Sequence, residues 1–188
     1  MLLQIISLVL DALTGLVVAA CLLRFYMQFQ RVNMSARMGN PLAAFVFSLS
    51  NWVVLPLRKF IPPIGRIDTS SLTAAYGLLL LKSLLLSLLL GELSRISHLW
   101  IFALFELLHV CVSGLFWLVI LYVALSWLNA GSPIYHLMTQ LVSPLLWRIR
   151  RALPQVGGID LSPVVLLLAL QILQILLSGL LSSILGVG

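Results

Sequence analysis

Two ionisable residues, Asp11 and Lys82, stand inside otherwise apolar stretches of this 188-residue chain. A charge in hydrocarbon is costly, so such a residue is a functional candidate and seeks a partner of opposite sign. If the two stretches pack as neighbours, Asp11 and Lys82 form an intramembrane ion pair. The pair is then either structural or part of an ion or proton pathway. Neutralising one member alone (Asp11→Asn or Lys82→Met) is expected to reduce folded protein, and the double change to restore it. Six of the other charges fall at matching positions of a block that is stated twice. Arg58-Lys59 precedes Pro62, Gly65, Ile67-Asp68 and Ser70; Arg150-Arg151 precedes Pro154, Gly157-Gly158, Ile159-Asp160 and Ser162. The offset is 92 residues throughout, and Asn40-Pro41 falls on Ser132-Pro133, so no gap opens across the unit.

The repeated block has two readings. In one it turns the chain from an amphipathic helix into a span. Proline stops the first helix, glycine permits a left-handed residue, and Asp or Ser caps the next helix by accepting from its free N–H groups. In the other it is a site where Asp68 and Asp160 meet Arg58, Lys59, Arg150 and Arg151 around a repeat axis. The basic residues, with Arg148, either set orientation and contact anionic lipid or recruit a cytoplasmic partner. Glu106 and His109 lie three apart on one helix face and read as an interfacial hydrogen-bonded pair. There is no H-E-x-x-H, G-x-G-x-x-G, P-loop or C-x-x-C, and the serines of the spans lack an accompanying His and acid. The expectation is a protein that is not an enzyme and uses no cofactor or metal. Cys21 and Cys111 read as inert thiols in apolar helix, at opposite depths of the membrane.

The elements that must position these residues follow from composition. The chain is 62% hydrophobic and 9% charged, against about 25% charged in a soluble domain, so it is read as an all-α integral membrane protein. About 20 apolar residues cross the hydrocarbon. Spans are expected near 2–23, 72–90, 103–128 and 161–185. The first also resembles a signal peptide, but it lacks a basic leader and carries Asp11, so it is expected to be retained. The segments 41–61 and 133–153 carry apolar residues at helical spacing. In the second, Ile134, Leu137, Met138, Leu141, Val142, Leu145, Leu146, Ile149 and Leu153 face one way; His136, Gln140, Arg148, Arg150 and Arg151 face the other. Such helices are expected in the interface, and Ser143-Pro144 could cap and restart the second. The chain thus divides into repeats 1–95 and 96–188, each with two spans, which makes them parallel copies. Of the eleven Lys and Arg, six lie in the connector 24–71 and three in 129–160. The positive-inside rule then places both connectors in the cytoplasm and both termini in the periplasm. With its basic residues beside spans, the net charge of +6 points to anionic lipid rather than nucleic acid.

The duplicated block, from Asn40-Pro41 through Arg58-Lys59 to Gly65-Arg66-Ile67-Asp68 and from Ser132-Pro133 through Arg150-Arg151 to Gly157-Gly158-Ile159-Asp160, resembles two YGGT repeats. Leu22-Leu23-Arg24-Phe25-Tyr26 and Leu125-Ser126-Trp127 are similar to the segments that precede the repeat core. The likeness to YggT proteins, related to the YlmG branch of plastids, covers almost the whole chain. The first copy departs from the pattern: Trp52 stands where the second has Pro144, and Arg66 at the second glycine. The resemblance implies a small inner-membrane protein without enzyme activity, linked to osmotic-stress tolerance, division or membrane-complex assembly. Two functions follow as expectations. One supports osmotic-stress tolerance by forming or modulating an ion or solute pathway, which would require a homo-oligomer. The other is a scaffold or assembly factor that binds lipid and another membrane protein.

Overall fold

A computed structural model describes residues 1–34, 40–63, 65, 67–91, 98–152 and 160–185. Six helices account for most of them: α1 (Leu2–Phe29), α2 (Ala43–Arg58), α3 (Thr69–Leu90), α4 (Leu99–Leu128), α5 (Pro133–Ala152) and α6 (Ser162–Leu185). No strand occurs among the described residues. Four helices are long and apolar enough to span a membrane, over Leu3–Phe29, Thr69–Leu90, Leu99–Leu128 and Ser162–Ser183. The protein is an all-α membrane protein with two shorter helices inserted between paired spans. Two spans are longer than the sequence pattern implies. α1 runs on through Arg24 to Phe29, and α4 starts at Leu99 rather than near residue 103. Arg24, expected in a polar connector, is therefore a helical residue near the end of a span.

The helix ends are set by the repeated punctuation. Asn40 Oδ1 accepts from the Leu42 N–H at 3.0 Å, and its equivalent Ser132 Oγ accepts from the Tyr135 N–H at 3.1 Å. Each copy therefore opens its short helix with a side-chain cap followed by proline. Gly65 has φ +60°, the left-handed conformation expected of it in the entry loop. Asp68 caps α3. The chain does not break at Ser143-Pro144: α5 is continuous with Pro144 inside it.

Two compact units form, and the division falls within α4. Met1–Phe29 with Ala44–Cys111 is the first; Gln30–Ala43 with Val112–Gly188 is the second. This packing boundary differs from the repeat boundary read at residues 95 and 96. In the first unit Val18, Cys21 and Leu22 of α1 pack with Val54 of α2, Ala74, Ala75 and Leu79 of α3, and Ala103 and Leu107 of α4. Small residues on α3 let its backbone approach α1 closely, which is how helices associate where lipid removes the hydrophobic drive. In the second unit Val142 and Leu146 of α5 pack on Val112 and Val119 of α4 and Leu166 and Leu170 of α6. The middle of the apolar stripe of α5, from Leu137 to Leu146, is thus covered by protein, while Ile134, His136, Gln140, Arg148, Arg150 and Arg151 stay exposed.

Candidate functional site

At the end of α1 in the first unit, three charged side chains come together. Asp68 is fully buried, and its Oδ2 receives Arg58 Nη2 at 2.8 Å and Arg24 Nε at 3.5 Å. The Ser71 hydroxyl donates to the same oxygen at 2.8 Å, and the Ser71 N–H reaches Oδ1 at 3.4 Å. One carboxylate therefore caps α3 and anchors two guanidiniums. Arg24, 4% exposed, turns its Nη1 to Ser50 Oγ (3.1 Å) and Asn51 Oδ1 (2.8 Å) of α2, and lies over the Phe47 ring. The neighbouring hydroxyls bind the entry loop: Ser70 donates to the Ile61 carbonyl at 2.6 Å and Thr69 to the Pro62 carbonyl at 2.8 Å. Two cations against one anion leave donors in excess, and Arg58 Nε is buried without a partner.

The second unit repeats only the central pair. Asp160 Oδ2 receives Arg150 Nε at 2.8 Å and Nη2 at 2.6 Å, a two-pronged contact, and Asp160 Oδ1 accepts the Ser162 N–H at 2.9 Å. The Arg150 Nη2 also reaches the Tyr122 hydroxyl at 3.4 Å. This pair is partly open to solvent, the side chains being 43% and 29% exposed. Partial burial alone would raise the Asp160 carboxyl. The Ser162 hydrogen bonds and the Arg150 charge outweigh it and hold the carboxyl below its ordinary value. For Arg150, burial acts downward, and the bonds to Asp160 and Tyr122 outweigh it and push the guanidinium upward. The position equivalent to Arg24 is Phe116, so the third member of the first cluster is missing here.

Farther along the first unit, Lys82 of α3 lies between two carboxylates. Its Nζ is 3.0 Å from Asp11 Oδ1 of α1 and hydrogen-bonds Glu106 Oε1 of α4. The pairing of Asp11 with Lys82 thus occurs, but Glu106 joins it. Glu106 bonds Lys82 rather than His109, which is exposed on the next turn. Lys82 is buried, whereas the Asp11 side chain is 53% exposed. The positions equivalent to Asp11, Lys82 and Glu106 are Ala103, Gln174 and Thr14, so this triad also has no copy.

The remaining candidates separate by role. Each aspartate pairs inside its own unit, Asp68 with Arg58 and Asp160 with Arg150. Lys59 and Arg151 contact neither and are exposed. Arg151 lies over the Trp147 ring at 4.2 Å, and Arg148 is exposed beside them. Gly157 and Gly158 lie outside the described residues, as do Arg37, Arg66, Arg95, Pro154 and Ile159. No group of three or more metal-ligating side chains occurs among the described residues. Spacing in the sequence carried a signal for Glu106: it and Lys82 stand nearly equidistant from the turn at 91–98, which brings them level when α3 and α4 run antiparallel. Arg24 carried a weaker one, since it continues the α1 face that bears Val18 and Cys21.

A family model described as CCB3/YggT matches residues 1–89 and 101–181. The chain is 35% identical over 170 residues to a protein named "Uncharacterized protein YggT" of Escherichia coli K12, covering 90% of this chain and 87% of the relative. It is 32% identical over 181 residues to an uncharacterised protein of Vibrio alginolyticus, covering 95% and 96%. An uncharacterised protein of Pseudomonas aeruginosa is 33% identical over 182 residues, covering 95% and 90%. No solved structure matches.

Proposed function

This chain belongs to the CCB3/YggT family of membrane proteins, and from that premise we propose that it is a non-enzymatic scaffold of the bacterial inner membrane. In this role it supports osmotic-stress tolerance by holding anionic lipid and a membrane-protein partner on its cytoplasmic basic face. The observation that carries the reading is the repeated Arg–Asp lock. Arg58–Asp68 and Arg150–Asp160 each tie the short helix of a copy to the start of the following span. The lock consumes one basic residue per copy and leaves Lys59, just past α2, and Arg148 and Arg151 of α5 exposed beside helices that are held in place. Exposed Trp147 under Arg151 adds an aromatic suited to the interface. A basic residue near an anionic surface contributes about 1 kcal/mol. The placement of these connectors on the cytoplasmic side rests on the excess of Lys and Arg that they carry.

The test is photo-crosslinking in native membranes from position 147. Crosslinks to anionic lipid and to a defined membrane protein are expected, and the double reversal Arg148→Glu/Arg151→Glu should abolish them while insertion persists. Arg150 is left alone because it holds Asp160. A crosslinking profile unchanged by the reversal defeats the proposal.

A second reading, an ion or solute pathway, draws on Asp11, Lys82 and Glu106, three ionisable groups on three spans. Against it within one unit stands the packing between this triad and Arg24, which is about 20 Å farther along α1. Val18, Leu22, Ala75 and Leu79 fill that interval. Flux across liposomes reconstituted with the purified protein decides it; flux no greater than in empty vesicles removes this reading.

A further inference from the structure

The outer half of α1 has almost no cover. No described residue before Val18 is buried, and Leu3, Ile5, Leu8, Val9, Leu13 and Leu16 are each close to half exposed or more. In a membrane helix apolar exposure is ordinary, because lipid covers it. Asp11 is not ordinary. It lies about 14 Å from the start of α1, its side chain is 53% exposed, and it meets Lys82 through Oδ1. The carboxylate is too short to extend to the interface as a lysine would. The groups around it are spent: Ser7 Oγ donates to the Gln4 carbonyl, Thr14 Oγ1 to the Leu10 carbonyl, and Lys82 is shared with Glu106.

The charges therefore do not balance inside the triad. Two carboxylates face one ammonium, His109 one turn on along α4 is exposed, and the surplus side is the one turned outward on α1. A water-filled vestibule would be lined with free polar groups, whereas the helical neighbours of Asp11 are Leu8 and Gly15 together with Ser7 and Thr14, whose hydroxyls turn back to backbone carbonyls. A second copy of the chain is a poor occupant, since α1 against α1 would set Asp11 beside another Asp11. We propose that this face of α1, centred on Asp11, docks a membrane-spanning helix of a different protein that presents one Lys or Arg at this depth. That cation completes a four-membered cluster with two positive and two negative charges. Gly15 and Ala19, small and on the same side of α1 as Asp11, let the incoming backbone approach. The inference does not rest on the basic cytoplasmic face, and either can fail alone.

A photo-crosslinking residue is placed at Leu8 or Leu13 in the full-length protein in native membranes, with Ile172 of α6 as a control. The adducted peptide is sequenced by mass spectrometry. The expected adduct is one foreign transmembrane helix whose sequence carries a Lys or Arg within a turn of the crosslinked atom, and which the control position does not capture. Its yield should fall at least fivefold in Asp11→Asn and persist in Asp11→Glu. Because Asp11→Asn also disturbs Lys82, Ala12→Trp serves as a second variant that leaves the triad intact and blocks the face; it should give the same loss. Adducts confined to lipid, to a second copy or to the chain itself overturn the proposal. So does a foreign adduct that lacks a basic residue at that depth, or one that is insensitive to both Asp11→Asn and Ala12→Trp.

Discussion

The two copies share a sequence block but solve its electrostatics differently. In the first, Asp68 is sealed from solvent and serves two guanidiniums, two groups of Ser71 and the cap of α3. In the second, Asp160 serves Arg150 and the start of α6, in a partly open position. What both retain, one Arg and one Asp ten residues apart, is what an entry turn needs. It fastens the end of a short helix to the start of a span and satisfies N–H groups that would otherwise face hydrocarbon. What only the first unit has, Arg24 and the triad of Asp11, Lys82 and Glu106, exceeds that need. Both units have an apolar core; the first adds charges within its spans, whereas the second packs around Val119, Val142 and Leu146 with no charged residue in its spans. Duplication preserved the turn, and the intramembrane charges gather in the first unit, with Glu106 drawn from the second copy.

The largest expected effect separates the copies most sharply. Asp68→Asn strands Arg24 and Arg58 in a buried site and should cost about 3–5 kcal/mol, the penalty for breaking a buried ion pair. Asp160→Asn neutralises a pair near the surface while Asn can still cap α6, and should cost about 1 kcal/mol or less. Unfolding midpoints of both variants in the same detergent check this. Equal losses would erase the proposed difference between the units. Next in size is Lys82→Met, which leaves Asp11 and Glu106 facing each other across the first unit and should cost about 3 kcal/mol. The triad also alters the rescue expected of a simple pair. Asp11→Asn/Lys82→Met should recover only part of the loss, because Glu106 stays unpaired, whereas adding Glu106→Gln should recover most of it. Full recovery in the double variant would reduce the triad to a pair.

The sequence made the architecture legible because membrane crossing is written in length and apolarity, and both are local. The spans and the two inserted helices were readable from composition and helical spacing. The 92-residue offset exposed the repeat, and the ten-residue interval from Arg58 to Asp68 recurs from Arg150 to Asp160. The partnerships were less legible. Asp11 and Lys82 stood out because each interrupts an apolar run. Glu106 sits close to a polar turn and His109, where a charge needs no explanation, so its contact with Lys82 depends on the register of α3 against α4. Arg24 read as the first residue of a basic connector, because nothing local says that α1 continues to Phe29. Its burial comes from Asp68 and α2, which are remote in sequence. The sequence left open whether the block is a helix-entry cap or a site where Asp68 and Asp160 meet the basic pairs around a repeat axis; in the folded chain Asp68 caps α3 and pairs with Arg58, and Asp160 pairs with Arg150 in its own unit.

Arg24 offers a smaller test of the same contrast. Arg24→Phe gives the first copy the residue that the second has at Phe116. The Arg58–Asp68 pair survives the change, while Ser50 and Asn51 lose their donor. The expected cost is about 1–3 kcal/mol, that of leaving buried polar groups unpaired and well below that of Asp68→Asn. Thermal unfolding of this variant beside Asp68→Asn ranks the two. If Arg24→Phe is the worse of the pair, Arg24 rather than Asp68 organises the first cluster.

The smallest effect is a dependence on pH confined to the second copy. The Asp160 carboxyl lies below its ordinary value of 3.8 in the folded protein, with burial opposing and the Ser162 bonds and Arg150 prevailing. A carboxyl lowered on folding binds its proton more weakly in the native state than in the unfolded one. Its contribution is therefore complete above the unfolded value and is lost as pH falls through the folded one. The raised Arg150 works in the opposite sense, losing its contribution only as pH rises through the guanidinium range, beyond ordinary handling. The difference in unfolding midpoint between the parent chain and Asp160→Asn should thus stay constant from about pH 5 to 8 and shrink below about pH 4, where the parent carboxyl takes up its proton. A difference that grows on acidification would mean that Asp160 binds its proton more tightly when folded, and that the pairing with Arg150 is not what holds the second turn.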